Sequence, residues 1–374
     1  MLEVHEWDEN FFTEFVGFKN LIHRDISTSL PEELSDYSKY FAQDSVFSAD
    51  FSWKGFILKE NGRTVAQAIL TWKKLGTVAN LGFLDWVDDL EHAQKLVTRV
   101  TEVARSEGIK SLKTPVDLNF FVKYRIRVPG GAEPLFGEPV YPDYYHRLFK
   151  GTGFKTIGEW DTYLVDRFKG IRDFFRKRKL LSERKDVSHS MTKKSELKTT
   201  IRCLRTDDWD REMRIIYELF SEAYQKMPEY EAISFEQFQV MYQDFKYIVQ
   251  PWLSYIIELK GKPVGFSINY MDPLPVLNSV RGKKLGPIQK ALLFLRLRSN
   301  TGTFMISHVG KIPGPNGEDI KGVQIQVSKR IALHILYVRR VVVCFQNADS
   351  PSRRTWNPET RSPYASYLLY GMDL

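Results

Sequence analysis

Residues 303–324 read TFMISHVGKIPGPNGEDIKGVQ. An apolar run breaks into a Gly/Pro loop and re-enters an amphipathic pattern at Lys321-Gly322. The pattern predicts a strand at 303–312, a phosphate-sized loop and a helix over 321–337. Backbone N–H groups at such a helix start form an anion site, large enough for a pyrophosphate. A second strand is expected at 340–346.

Outward from that stretch, SYIIELKGKPVGFSINY (254–270) reads as two strands about a turn at Lys260-Gly261-Lys262-Pro263. Two helical patterns precede it, DDWDREMRIIYELFSEAY (207–224) and SFEQFQVMYQDFKYIV (234–249). The first half repeats the order. A helical stretch EWDENFFTEFVGFKNLI leads into WKGFILKENGRTVAQAILTWKK, whose Asn61-Gly62 marks a hairpin turn, and then into GTVANLGFLDWV. A helix from about Leu90 to Gly108 and a strand SLKTPV follow. Helices, a meander, then strand, loop, helix and strand is an α+β order, and two copies fill the chain.

Composition fits this reading. With 374 residues, 43% hydrophobic and 14% aromatic, the chain is long enough for two folded domains of about 150–200 residues. Its start, MLEVHEWDENFF, is acidic and polar, so no signal peptide is expected, and no apolar run of about 18 residues occurs that would span a membrane. Cys203 and Cys344 each sit in an apolar pattern and are expected to be buried, reduced thiols in a cytoplasmic protein. The seven histidines show no metal-ligand spacing, so no metal is expected.

The net charge of +8 is concentrated. Residues 168–198 hold Arg176, Lys177, Arg178, Lys179, Arg184, Lys185, Lys193, Lys194 and Lys198, and read as a basic connector between domains 1–167 and 199–374. Phe174 and Phe175 precede RKRKLL, so 172–185 also suits an anionic membrane surface. So does 281–298, RGKKLGPIQKALLFLRLR. There Ala291, Leu292, Phe294 and Leu295 share a face bordered by Lys283, Lys284, Lys290, Arg296 and Arg298, a stripe suited either to the core or to a lipid interface. No zinc finger, helix-turn-helix or RNP-like pattern occurs, so a nucleic-acid partner is not expected.

Specific segments resemble the tandem-domain branch of the GNAT acyl-CoA N-acyltransferase superfamily. GFLDWVDD (82–89) resembles that family's G-F-F-E-x-x-D-D segment, and TPVDLN (114–119) its G-P-x-N-like segment. PVYPDYYHRLFKGTGFKTIGEWDTYLVD (139–166) is similar to its aromatic run in which two tyrosines open a helix that ends at Gly-Phe. ELKGKPVGFSI resembles the hairpin before the cofactor strand. The resemblance implies two tandem GNAT-like domains, each a mixed, mostly antiparallel sheet flanked by helices. It also implies acyl transfer from a coenzyme A thioester to an amine.

The family's Gln/Arg-x-x-Gly-x-Gly/Ala loop aligns with Gly322, leaving Lys321 and Val323 beside it and Gly317 in the preceding turn. Asp319 and Gln324 depart from the motif. In the first half, DDLEHAQKL holds acids and no glycine at the equivalent place, so any coenzyme site is expected in the second half, and Asp88 or Asp89 reads as a helix cap. The fold implies that backbone groups of Val309, Gly310 and Lys311 meet the thioester and pantetheine, and that Asn347 contacts coenzyme A or simply ends a strand.

Acyl transfer to an amine asks for a base, an oxyanion donor and an acid for the leaving thiolate. His308 is a candidate base or a hydrogen-bonded core residue. Tyr364, Tyr367 and Tyr370, in the tail YASYLLYG, are candidate acids. Bacterial ceramide-synthase-like proteins of this branch point to a long-chain, sphingoid-like lipid amine as acceptor, met by a cytoplasmic enzyme at the inner membrane face. Two alternatives stand beside it: an aminoacyl-tRNA-dependent peptidyl transferase, and a non-catalytic binding protein on a decayed tandem GNAT fold.

Overall fold

The computed structural model describes residues 2–5, 9–26, 31–165, 199–227, 229–281, 283, 285–312, 338–347 and 362–374. The basic connector 168–198, the loop at 313–320 and the helix expected at 321–337 lie outside the described residues.

In the first half, strands β1 (Leu2–His5), β2 (Phe51–Glu60), β3 (Arg63–Lys73), β4 (Val78–Trp86) and β5 (Ser111–Thr114) lie side by side in that order. Helices α1 (Glu9–Ile22), α2 (Leu34–Phe41) and α3 (Leu90–Ser106) accompany them. The β2–β3 turn places Asn61 and Gly62 at φ 50° and 78°, the left-handed pair that a two-residue hairpin needs. Helix α3 starts where Asp89 accepts a hydrogen bond from the His92 N–H at 3.0 Å, and it buries Ala93, Leu96, Val97, Val100 and Ala104 as one stripe.

After β5 the chain makes three short strands, β6 (Val116–Asp117), β7 (Lys123–Tyr124) and β8 (Ile126–Arg127). Tyr144 and Tyr145 then open helix α4 (Tyr145–Gly151), which leads into β9 (Lys155–Leu164). The second half holds β10 (Thr199–Cys203), α5 (Trp209–Tyr224), α6 (Phe235–Tyr242), β11 (Tyr255–Leu259) and β12 (Lys262–Met271). It continues with α7 (Leu274–Asn278), α8 (Pro287–Arg298), β13 (Thr303–Lys311), β14 (Arg340–Asn347) and β15 (Ala365–Asp373). Its hairpin turn repeats the first, with Lys260 and Gly261 at φ 52° and 79°.

The described strands of both halves form one continuous 13-stranded sheet, in the order β1-β2-β3-β4-β5-β15-β9-β14-β13-β12-β11-β10, with β8 also on β15. Among the described strands, β4 with β5 and β13 with β14 pair in parallel and the other pairs are antiparallel. The last strand of the chain therefore sits among strands of the first half, hydrogen-bonded to β5 and β9, while β9 pairs on its other side with β14. The division of the sequence at 168–198 does not coincide with a division of the sheet. The core also crosses it: Phe121 of the first half packs on Phe220 (5.5 Å between ring centroids) and Phe238 (6.1 Å) of the second.

The first half buries an unusual number of charges. Asp85, on β4, accepts hydrogen bonds from His23 (2.6 Å), Gln67 (3.2 Å) and the Tyr145 hydroxyl (3.1 Å). Lys19 pairs with Glu32 at 3.0 Å. These partners satisfy groups that burial alone would penalise by several kcal/mol each.

Cys203 departs from expectation. It is exposed, because it ends the edge strand β10, while Cys344 on the interior strand β14 is buried; both are free thiols.

Candidate functional site

The parallel pair β13–β14 holds register only from Thr303 opposite Arg340 to Ile306 opposite Val343. Beyond it the strands part. On its other edge β13 stays paired with β12 as far as Lys311, but the register slips between His308 (opposite Ile268) and Ile306 (opposite Asn269), leaving Ser307 as the extra residue of a bulge. The Ile312 N–H donates to the Val264 carbonyl at 2.9 Å. Alternation along an antiparallel ladder then directs the main-chain groups of His308 and Gly310 to β12, and those of Val309 and Lys311 into the gap left by β14. Among the described residues no strand pairs with Val309–Lys311 on that side, an edge of the kind that suits an extended, amide-bearing ligand.

The first half builds the same feature and fills it. β4 pairs in parallel with β5 only over Val78–Asn80, and it too is bulged, at Phe83. Here the chain after β5 folds into the gap. The Asp117 carboxylate accepts the Phe83 N–H at 2.5 Å, and the Leu118 carbonyl accepts from Asn80 and Thr71, each at 3.1 Å. A Cβ on Gly82 would lie 2.0 Å from the Val116 carbonyl oxygen, so only glycine permits this approach.

The plug of the first half continues as one wall of the second-half gap. Phe120 lies 6.4 Å from Tyr224 between ring centroids, and the Tyr242 hydroxyl donates to the Phe121 carbonyl at 2.6 Å. Tyr224, at the end of α5, donates to the Val309 carbonyl at 3.3 Å. Arg125 stacks on Phe345 of β14 (3.8 Å to the ring centroid) and on Tyr124 (4.2 Å), with Trp160 and Tyr367 each at 5.5 Å.

His308 is half-buried on β13, with its ring against Phe220. Burial, with the nearby Arg125 charge, lowers its pKa to about 4, so it is neutral near pH 7. Its Nδ1 lies 2.8 Å from the Ser307 hydroxyl. If Nδ1–H donates to that oxygen, Nε2 keeps a lone pair for a substrate proton.

The three tail tyrosines fall in different surroundings. Tyr364 donates to the Glu133 carbonyl at 2.7 Å. Tyr367 donates to the Glu138 carboxylate, and burial beside that charge raises its pKa well above the usual value. Tyr370 packs in the first-half core, stacked on Phe149. His146 gives its Nε2–H to the Arg127 carbonyl (2.9 Å), so its Nδ1 accepts the Tyr370 hydroxyl at 2.8 Å. Burial raises the Tyr370 pKa to about 12. Only Tyr367 comes near the gap, through its ring contact with Phe345 at 5.1 Å.

On β13, Val309 and Lys311 turn their main-chain groups to the β14 side while Gly310 pairs with Phe266 of β12, and Asn347 ends β14, opposite Trp160 of β9. Gly317, Lys321, Gly322 and Val323 lie outside the described residues. Arg125, Tyr224 and Phe120 were not singled out from sequence. The one local signal was a cation in the apolar alternation of KYRIRV, which reads equally well as a solvated strand face.

Among the described residues no helix is long and apolar enough to cross a membrane, and no group of His, Cys, Asp and Glu could hold a metal ion. Helix α8 exposes Ile288, Leu292 and Leu295, at 78%, 55% and 60%, and buries Leu297. Of the two settings that suit its stripe, the core is therefore not the one it occupies.

No family model matches the chain. Protein YghO of Escherichia coli K12 is 20% identical over 306 residues, covering 78% of this chain and 73% of that protein. Among solved structures, a tandem GNAT protein from the clavulanic acid biosynthesis pathway, solved without AcCoA, aligns with 100% of this chain and 98% of its own at 12% identity and TM-score 0.50. A conserved protein of unknown function from Enterococcus faecalis V583, described as a probable N-acyltransferase, covers 100% of this chain and 73% of its own at 9% identity and TM-score 0.52. A GCN5-related N-acetyltransferase from Anabaena variabilis covers 99% and 72% at 8% identity and TM-score 0.52. The chain has the tandem GNAT fold: two similar halves on a mixed, mostly antiparallel sheet flanked by helices.

Proposed function

We propose that the chain is an acyl-CoA-dependent N-acyltransferase whose donor lies in the gap between β13 and β14 and whose acceptor is a lipid-like amine. The observation that carries this reading is the contrast between the two halves. The same bulged, parting strand pair occurs twice; Val116–Leu118 fills it in the first half, whereas among the described residues no strand pairs with Val309–Lys311 on the β14 side in the second. In this reading 1–167 is a supporting unit and 199–374 the donor-binding one, with 168–198 joining them. Coenzyme A supplies an activated thioester, and main-chain groups of Val309 and Lys311 hold its amides. Neutral His308 takes the proton from the attacking amine, and Lys321-Gly322 meets the pyrophosphate.

The lipid part of the reading rests on α8. Ile288, Leu292 and Leu295 share one exposed face, flanked by Lys290 and Arg296, and such a helix lies naturally in an anionic bilayer surface. A long-chain amino alcohol, the acceptor of ceramide-synthase-like proteins, would be taken from that surface.

A thermal-shift series with acetyl-CoA and palmitoyl-CoA tests the reading. Ligand at about 100 times its Kd stabilises the native state by about 2.7 kcal/mol, so a clear rise in Tm is expected, larger for the long chain, together with amine-dependent release of free coenzyme A. No shift and no turnover with either thioester would sink the acyltransferase and favour the peptidyl-transferase or binding-protein alternative.

The membrane arm is separate. Vesicles containing anionic lipid should carry the protein up a flotation gradient. Leu292→Glu with Leu295→Glu should leave it at the bottom; equal flotation of parent and variant would remove α8 from the interface.

A further inference from the structure

Among the described residues, Arg125 is an arginine without a counter-charge. It is 7% exposed, yet no carboxylate comes within ion-pair distance of it among the described residues, and its Nε is buried with no hydrogen-bond partner. One other nitrogen is used, donating to the Tyr124 hydroxyl at 2.7 Å. The neighbouring Arg127, two residues on, has the counter-charge that Arg125 lacks: its guanidinium lies 3.2 Å from the Glu138 carboxylate. A buried cation that has no carboxylate is costly, and a fold retains it where something else completes it.

The shape of the cage limits what that something is. Phe345 and Tyr124 lie against the guanidinium at 3.8 and 4.2 Å, so its faces are taken by rings. The remaining edge of the fork is the place for a ligand, and an in-plane fork matches an oxyanion through two parallel N–H donors. Phe345 belongs to β14 just beyond the point where it parts from β13, so the fork sits at the gap itself. Arg125 is held there by main-chain geometry: its φ is 69°, and its N–H donates to the Pro115 carbonyl at 2.9 Å.

We propose that Arg125 is the acceptor-specificity residue of this site, binding an oxyanion group carried by the amine that is acylated. The inference rests on the acyltransferase reading and narrows it: the acceptor is an amine with a carboxylate or phosphate close to its nitrogen, rather than a neutral amino alcohol. The anion on the fork fixes one end of the acceptor and leaves its amine directed at the gap between β13 and β14. In the transfer, the ammonium first gives one proton to the base; the freed amine then forms the amide bond as the thioester C–S bond breaks, and the second proton shed by the nitrogen goes to the departing thiolate.

The test uses the full chain and three probes: a long-chain α-amino acid, the amino alcohol made by reducing its carboxylate, and the phosphate ester of that alcohol. Binding is read by Tm and by calorimetry for the parent, Arg125→Lys and Arg125→Gln. The parent is expected to bind an anionic probe and to prefer it over the alcohol; which anionic probe wins identifies the group. Losing a charge-assisted, two-point contact should weaken that probe about 10- to 100-fold in either variant, with the alcohol unaffected and the ligand-free Tm of both variants close to the parent's. Equal binding of alcohol and anion by the parent, or failure to bind any probe, would overturn the proposal. So would a preference for the anion that survives in Arg125→Gln. A palmitoyl-CoA arm on the same parent protein separates the two readings, because its failure counts against the acyltransferase while the anion preference is read without it.

Discussion

A chain lacking residues 363–374 is expected to be insoluble, and to show no cooperative melting transition when recovered from inclusion bodies. The reason is position in the sheet. β15 is the last strand in sequence but an interior strand in space, bonded to β5 on one side and to β9 on the other. Removing it opens two unpaired edges in the middle of the sheet and takes away the buried side chains of Tyr367, Leu369 and Tyr370. Full burial of one large apolar side chain contributes about 1.5–3 kcal/mol, and net folding stabilities are about 5–15 kcal/mol. Three such side chains plus two ladders exceed what the fold can lose. The loss should reach both halves, since β9 also carries β14. A synthetic peptide spanning 363–374, added during refolding, should restore soluble protein. A soluble truncated chain with a sharp transition would show that the halves fold without the exchanged strand.

The tail shows where sequence reading stopped. ASYLLYGMD alternates well enough for a strand, but nothing local says that it pairs with SLKT some 250 residues earlier, because partner choice in a sheet is a long-range packing decision. The three tyrosines stood out by chemical type. Their hydroxyls turned out to be committed to Glu133, Glu138 and His146. The hairpins were legible because Asn61-Gly62 and Lys260-Gly261 demand left-handed backbone that few residue pairs tolerate. Helix α3 was legible from its stripe and its Asp89 cap.

The gap was legible on one side only. The run 303–311 announced a strand, and the absence of a glycine in DDLEHAQKL suggested that the first half holds no coenzyme. What fills the first-half gap could not be read. Val116–Leu118 enters it because Gly82 gives backbone room and Asp117 satisfies the bulge N–H, a match between segments more than thirty residues apart. Arg125 was invisible for a related reason. An arginine next to a tyrosine in a strand is usually a surface residue, and only the folding of β14 over it makes it buried.

Replacing Asp85 should cost more than any other single substitution in the buried charge cluster. GFLDWV reads as an apolar strand with one acid, and the structure puts that acid fully inside, where burial raises its pKa but the His23 charge and hydrogen bond, with Lys19 and Gln67, more than offset the rise and leave the carboxyl below its usual value. Asp85→Ala leaves His23, Gln67 and the Tyr145 hydroxyl without their acceptor in a dry interior. Breaking a buried pair from one side costs on the order of 3–5 kcal/mol, and a denaturant midpoint lowered accordingly is the expected result. Because the folded pKa is depressed, the contribution of the ionised carboxylate is fully present above the unfolded value of about 3.9 and is lost as pH falls through the folded one. The gap between parent and Asp85→Ala should therefore stay wide from pH 7 down to about 4 and narrow only below that. Removing both charges at once separates pairing from mere burial: His23→Leu with Asp85→Leu should recover much of what Asp85→Ala loses, since no orphaned charge remains. A loss below about 1 kcal/mol for Asp85→Ala, the range of exposed ion pairs, would mean that water reaches the cluster and that Asp85 is not the acid the first-half core is built around.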